Sequence, residues 1–419
     1  MVHDLVIRNA STDGTDDTVD IGIKDAEIVE VSDTDLEANE EIDAGGNLVA
    51  PGFVDAHMHI DRAFAARGER KPKGSDRSPG QKDYNELFDA YYEEILIEEI
   101  EERAVKNIKK AVRFGSVHLR THVAIDHPTG LGNMRACLRA RERTKDIANI
   151  QIVPWSARGI LHEDNRETMR EAIKLGLENG GNILVGGADP ASRSHNVERT
   201  IDIWLDLAEE FDVGLDPHIQ DPGTLGTYTL NRLLDKADKR GIGDRITASH
   251  CFCLGNVEQW HSDEVIERFE KSGAGMVTCY SSTRCSMPLR SLLESDVPIA
   301  HGTDNDQDFV TLHGHSDPIE GLIVQSNKLN IDGLSTQEYR WFQSNSGLEG
   351  LWDMITHQGS EVMDLPSYGT TEGSRADLVV LDEPSPQWAI AAHGTCRFVM
   401  KDGSVVAEEQ SLTDDYVDV

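Results

Sequence analysis

Two histidines one residue apart close an apolar run, Val54–His59 (VDAHMH), which ends in His57 and His59. On a β-strand, side chains at i and i+2 leave the same face about 6.6 Å apart along the strand, near enough to meet on one cation. Such a pair is weak evidence alone, because a second one, His313 and His315, sits in a polar stretch that follows no apolar run. That second pair reads as solvated or substrate-loop histidine. The first gains weight from the rest of the chain: His218 and His250 each end a short apolar segment, and Asp304 follows another. Three neutral imidazoles and a carboxylate make a borderline donor set suited to Zn(II), or to Fe(II). The run Val185–Ala188 offers no Lys at its end to bridge a second ion, so one divalent metal, zinc ahead of iron, is the simpler count.

Elements must bring these residues together, and the sequence supplies a rhythm of them. Strand candidates begin near Gly52, Ser116, Ile150, Asn182, Asp212, Arg245, Ala274 and Val297. Amphipathic stretches lie between most of them. In 196–211, Val197, Ile201, Trp204, Leu205, Ala208 and Phe211 recur at helical spacing, while Asp202, Asp206, Glu209 and Glu210 take the other face. Eight strand–helix units in sequence predict an α/β chain folded as a closed parallel (β/α)8 TIM barrel, with the chemistry at the C-terminal strand ends. The long first interval holds a segment, 67–83, rich in Gly, Pro and charge, then a helical pattern from Tyr84 to Phe114. That insertion reads equally as a lid at the barrel mouth or as a solvated loop. Both chain ends alternate in short strands, which predicts a small β-sandwich side domain built from residues 1–50 and 361–419 around a barrel of 51–360.

The charge narrows the partners. Asp and Glu number 75 against 40 Lys and Arg, a formal net charge of −35, and only 14 of the basic residues are Lys. A polyanion of this strength repels nucleic-acid backbones and anionic lipid. Concentrated salt would screen the self-repulsion, so the surface reads as a halophilic adaptation, with an ordinary acidic enzyme as the alternative. No run approaches the ~18 apolar residues of a membrane span, and the first ten residues alternate like a strand instead of forming a leader, which predicts a cytoplasmic protein. The six Cys are scattered, and Cys251 and Cys253 are too close for a zinc knuckle, so reduced, packed thiols are expected.

Taken together, APGFVDAHMHID (50–61), RTHV (120–123), HIQDPGT (218–224), ITASH (246–250), CYSSTRCSMP (279–288), ADLVVLD (376–382) and SPQWAI (385–390) resemble the amidohydrolase superfamily. Within it they are similar to the cytosine deaminase branch and its N-isopropylammelide isopropylaminohydrolase-like enzymes. The resemblance implies that His57, His59, His218 and Asp304 bind one metal, and that His250 hydrogen-bonds the attacking hydroxide or the substrate oxygen. It places Asp221 where a carboxylate shuttles a proton; by local sequence alone, Asp221 reads as an Asx turn ahead of Pro222. Trp155, Ala157, Asn305 and Phe309 fall at substrate-facing positions. Ala157 stands where relatives carry a Gln, Asn305 where cytosine deaminase has a second Asp, and Phe309 where a Trp usually packs. Those changes remove the hydrogen-bond pattern that would select cytosine. The implied reaction is hydrolysis of a C–N bond on a pyrimidine-like or s-triazine-like ring by a homo-oligomer, releasing ammonia or an alkylamine. Hydantoinase-like hydrolysis of a cyclic amide is the alternative, and a catalytically silent homologue the third reading.

Overall fold

In the computed structural model, which describes residues 2–12, 17–67, 89, 92–93, 95–126, 129–279, 287–328 and 345–417, the apolar runs have become strands of a mixed α/β fold. The segment 68–83 and Cys285 lie outside the described residues. Strands β1 (His3–Ala10), β2 (Val19–Lys24), β3 (Glu27–Ser32) and β4 (Ala38–Asp43) form a sheet of order β3-β2-β1-β4, in which only β1 and β4 run parallel. β5 (Val49–Pro51) leaves that sheet to pair with the far end of the chain.

Eight parallel strands follow: β6 (Phe53–Met58), β7 (Ser116–Ala124), β8 (Asn149–Trp155), β9 (Leu184–Ala188), β10 (Gly214–Ile219), β11 (Thr247–His250), β12 (Gly275–Cys279) and β13 (Ile299–Gly302). Continuous ladders join β6 to β8 and β9 to β13. Two parallel bridges span the seams: Ile152 with Ile183 between β8 and β9, and Met58 with Asp304, which brings the last strand back to the first. β7 is buried along its whole length, as expected of a parallel strand covered on both faces.

Helices α1 (Ile97–Arg113), α2 (Gly132–Arg143), α3 (Glu163–Glu178), α4 (Val197–Phe211), α5 (Gly223–Arg240) and α6 (Gln259–Ser272) connect successive strands from β6 to β12. α4 shows why they form. The Asn196 side chain caps its first turn at Arg199 N, Ile201, Trp204, Leu205 and Ala208 are buried, and Asp212 ends it in the left-handed conformation. Its acidic face meets basic residues of α5, with Lys236–Asp202 at 2.7 Å and Arg240–Asp206 at 2.8 Å.

β14 (Leu378–Leu381), β15 (Cys396–Lys401), β16 (Ser404–Glu408) and β17 (Ser411–Leu412) make an antiparallel sheet that β5 completes, Val49–Pro51 pairing with Leu378–Val380. Leu5, Ile7, Ile21 and Ile28 of the first sheet share one apolar core with Val49, Leu378, Val380 and Met400 of the second. Lys401 is buried beneath it, 3.1 Å from Asp377 and 2.8 Å from Asp402. Among the described residues no helix is long and apolar enough to cross a membrane.

Candidate metal centre

The seam between β6 and β13 positions the first residues of the site. Asp304 N donates to His57 O at 2.8 Å. Thr303 donates to Asp55 through both its backbone N (3.0 Å) and its hydroxyl (2.5 Å). Gly302 permits the approach: a Cβ there would lie 2.5 Å from His57 Cβ and 2.6 Å from His57 O. Asp304 turns out of the strand in the left-handed region (φ 60°), and His250 does the same at the end of β11 (φ 76°). Non-glycine residues hold such conformations only where their surroundings impose them, at a cost of about 1–3 kcal/mol each.

The hydrogen bonds fix the tautomers of three histidines. His59 Nδ1 lies 2.9 Å from His122 O, and His218 Nδ1 3.2 Å from Gly187 O. A carbonyl only accepts, so both Nδ1 atoms carry the proton and both Nε2 atoms are bare. His57 Nδ1 lies 2.9 Å from Ser249 Oγ, whose own proton goes to Asp216 Oδ1 at 2.6 Å, which leaves His57 Nε2 bare as well. Burial, with the neighbouring rings, pushes the pKa values of His57 and His218 well below the ordinary range, and burial pushes that of His59 down to about 3, so all three are neutral.

These bare nitrogens face one another. His218 Nε2 and His59 Nε2 are 3.4 Å apart, and Asp304 Oδ1 lies 3.4 Å from His59 Nε2 and 3.8 Å from His57 Nε2. Burial alone pushes the Asp304 carboxyl up; His59, His250 and the Arg62 guanidinium outweigh it and hold the group well below the usual carboxylate range. Four acceptors converging without a proton among them repel unless a cation sits between. The ligand atoms of His57, His59 and His218 all lie within 4.8 Å of one another, a spacing that could hold one divalent cation.

Among the described residues two other buried groups have metal-like spacing, His57–His250–Cys279 and His57–His122–Asp216. Both reuse His57. The second has no carboxylate to spare, since Asp216 already takes Ser249 on Oδ1 and Arg120 on Oδ2 at 2.9 Å.

The remaining expected residues fall as follows. His250 is buried, neither ring nitrogen has a hydrogen-bond partner among the described residues, and its ring centre is 4.6 Å from that of His57. Burial brings its pKa down to about 4. Trp155 stacks on His218 at 4.4 Å and 22°. Ala157 is buried with Ala124, Trp155 and Ala188. The Asp221 side chain does not make an Asx turn or cap α5, whose N-cap is Pro222; it accepts from Ala191 N at 3.1 Å, while its Oδ1 is buried without a partner among the described residues. Phe309 packs against Ala65, Tyr92, Ile100 and Ala136. His313 and His315 are in a loop, His315 bonded to Glu320 at 2.7 Å. The five described cysteines are buried.

The sequence reading missed Arg62, His122, Ser249 and Asp216. Arg62 Nη2 donates to Asn305 Oδ1 at 2.5 Å, and its Nε lies 2.8 Å from Asp308. Because arginine only donates, it turns the Asn305 oxygen toward itself and leaves the amide NH2 for another partner. The available signal was a charged residue one step beyond the HMHID run.

A model of the amidohydrolase family matches residues 40–136 and 117–407, and the chain belongs to that family. It is a hydrolase of carbon–nitrogen bonds. It is 36% identical over 412 residues to N-isopropylammelide isopropyl amidohydrolase of Pseudomonas sp. (strain ADP), covering 98% of each chain. Among solved structures it resembles N-isopropylammelide isopropylaminohydrolase of Burkholderia multivorans ATCC 17616 (TM-score 0.85, 24% identity, 98% and 99% of the two chains). It also resembles 5-methylcytosine deaminase of Klebsiella pneumoniae liganded with 5-fluorocytosine (TM-score 0.82, 23% identity, 96% and 97%).

Proposed function

We propose that this enzyme hydrolyses a C–N bond on a pyrimidine-like or s-triazine-like ring and releases ammonia or a small alkylamine. The observation that carries the reading is the convergence of three bare imidazole nitrogens and the ionised Asp304. His57, His59, His218 and Asp304 would hold one divalent cation, one because Val185–Ala188 supplies no bridging Lys for a second, with zinc placed ahead of iron. When bound, such an ion lowers the pKa of water toward ~7 and makes hydroxide available at neutral pH.

The chain's residues would do the rest. Asp304, ionised, accepts the proton of the attacking water. His250, neutral and without a hydrogen-bond partner among the described residues, meets the oxygen that develops charge on the ring carbon. Asp221, with one buried oxygen uncommitted, carries a proton to the ring nitrogen or the departing amine. Trp155 walls the site beside His218. Asn305 presents donors where an aspartate would accept, which suits a ring edge that offers an acceptor there, an oxo oxygen or an unprotonated ring nitrogen, and not one that offers an N–H. The ring substrates in the names of the relatives support the same class.

The architecture we assign to this activity is a (β/α)8 barrel over residues 51–360 with a composite β-sandwich from 1–50 and 361–419. We further assign a cytoplasmic, halophilic homo-oligomer. The test is ammonia or amine release in molar KCl over cytosine, isocytosine, ammelide and N-alkylated analogues, with a cyclic imide as control. Turnover of an amino-substituted ring, about one metal per chain and loss of both in His57→Ala are the expected results. Turnover of the cyclic imide alone would give the activity to the hydantoinase-like alternative, and a folded, metal-free, inactive protein would refute the centre.

A further inference from the structure

Beneath the proposed metal centre lies a second polar layer that the mechanism does not use. Ser249 and Asp216 are fully buried, and Arg120 is 2% exposed. Asp216 Oδ1 accepts from Ser249 Oγ at 2.6 Å and its Oδ2 from Arg120 Nη1 at 2.9 Å. Arg120 is itself tied down, donating to Val362 O at 2.8 Å, Gln151 Oε1 at 2.9 Å and Thr247 Oγ1 at 3.2 Å. The hydroxyl proton of Ser249 is committed to the carboxylate, so its oxygen meets His57 Nδ1, 2.9 Å away, as an acceptor. On another side the His57 ring is covered by His122, with centroids 3.9 Å apart and planes 31° from parallel.

Resting on the reading of this cluster as a metal centre, we infer that Ser249, oriented by Asp216, is a positioning residue that holds the His57 proton on Nδ1 and presents bare Nε2 to the cation. The other two histidines need no such device, because each gives its Nδ1 proton to a backbone carbonyl. His57 alone depends on a side chain for its tautomer, and that side chain is directed because its carboxylate partner only accepts. Without the hydroxyl, the His57 Nδ1 proton has no acceptor inside a fully buried site, and the ring gains by moving it to Nε2, where it blocks the cation. The same chain explains why Asp216 and His122, spaced like ligands, belong to the support and not to a second ion.

The experiment is zinc affinity, measured by chelator competition on the metal-stripped full-length protein in molar KCl, with a thermal melt of each stripped variant as the folding control. Ser249→Ala should weaken zinc binding by about 10–100-fold, the range for loss of a ligand-orienting partner, with the melt of the stripped protein little changed. Ser249→Thr keeps the hydroxyl and should bind zinc like the wild type. Should Ser249→Ala not fold, Asp216→Asn carries the same measurement with the same expected weakening. Zinc binding of wild-type strength in Ser249→Ala, or equal weakness in the Ala and Thr variants, overturns the inference while leaving the metal centre standing. Failure of the wild-type chain to bind zinc overturns both.

Discussion

Gly302→Ala isolates the seam from the proposed ligands, since it removes no donor and adds one methyl. That methyl carbon would lie 2.5 Å from His57 Cβ, 2.6 Å from His57 O and 2.8 Å from His57 N. Two of the three atoms are backbone, so no rotamer change relieves the clash. Reaching ordinary contact requires the strands to part by about 0.6–0.9 Å, an overpacking that costs about 1–3 kcal/mol. The hydrogen bond from Asp304 N to His57 O, now 2.8 Å, would stretch beyond useful length with it. His57 and His59 would then recede from Asp304, and a misplacement on the ångström scale lowers turnover by about 10²-fold. Paired measurements check this: a denaturant melt for the stability loss, and zinc affinity with kcat on the best ring substrate for the site. A Gly302→Ala protein with wild-type zinc affinity and kcat would refute the claim that close approach of β6 and β13 sets the geometry.

Three further outcomes are expected. Burial raises the Asp55 carboxyl to about 6 against the donors of Thr303. Its folded pKa lies above the unfolded value near 3.9, so the stability it contributes is complete below about pH 4 and is lost as pH rises through 6; urea melts should show Asp55→Asn gaining on the wild type by about 2–3 kcal/mol between those limits, and parallel profiles would contradict this. Lys401→Ala removes the buried cation from Asp377, which keeps only the Asp402 N–H and nearby His118, and should cost about 3–5 kcal/mol, whereas Lys401→Met with Asp377→Leu should cost less, both read from denaturant midpoints. The melting temperature of the wild type should climb as KCl rises from 0.1 M to 2 M, by screening of about 35 excess negative charges; a flat or falling curve would assign the acidity to something other than salt adaptation.

The eight strand positions were legible because each is a short apolar run between polar stretches, and buried parallel strands need that composition. The histidines were legible because they stand where those runs stop. What escaped was the layer underneath. Ser249 meets His57 from 192 residues away and Arg120 meets Asp216 from 96, so neither pair leaves a local spacing to recognise. A polar residue inside an apolar strand looks like noise until its partner on another strand is known. The Asp221 turn was misleading for the opposite reason: its neighbours suit an Asx turn, but Ala191, on the preceding strand's loop, claims the side chain instead. Residue types at the substrate positions carried no physical signal of their own, and Trp155 became meaningful only with its ring lying on His218.

The closing contact between Asp55 and Thr303 joins residues 248 positions apart. During synthesis at about 5–20 residues per second, the interval between the appearance of the two partners is on the order of ten to fifty seconds. His57 and His59 are therefore made early and wait, paired but without their carboxylate, while most of the enzyme is still to be translated. A cation captured in that interval would be held by imidazoles alone, under rules of affinity that differ from those of the finished site.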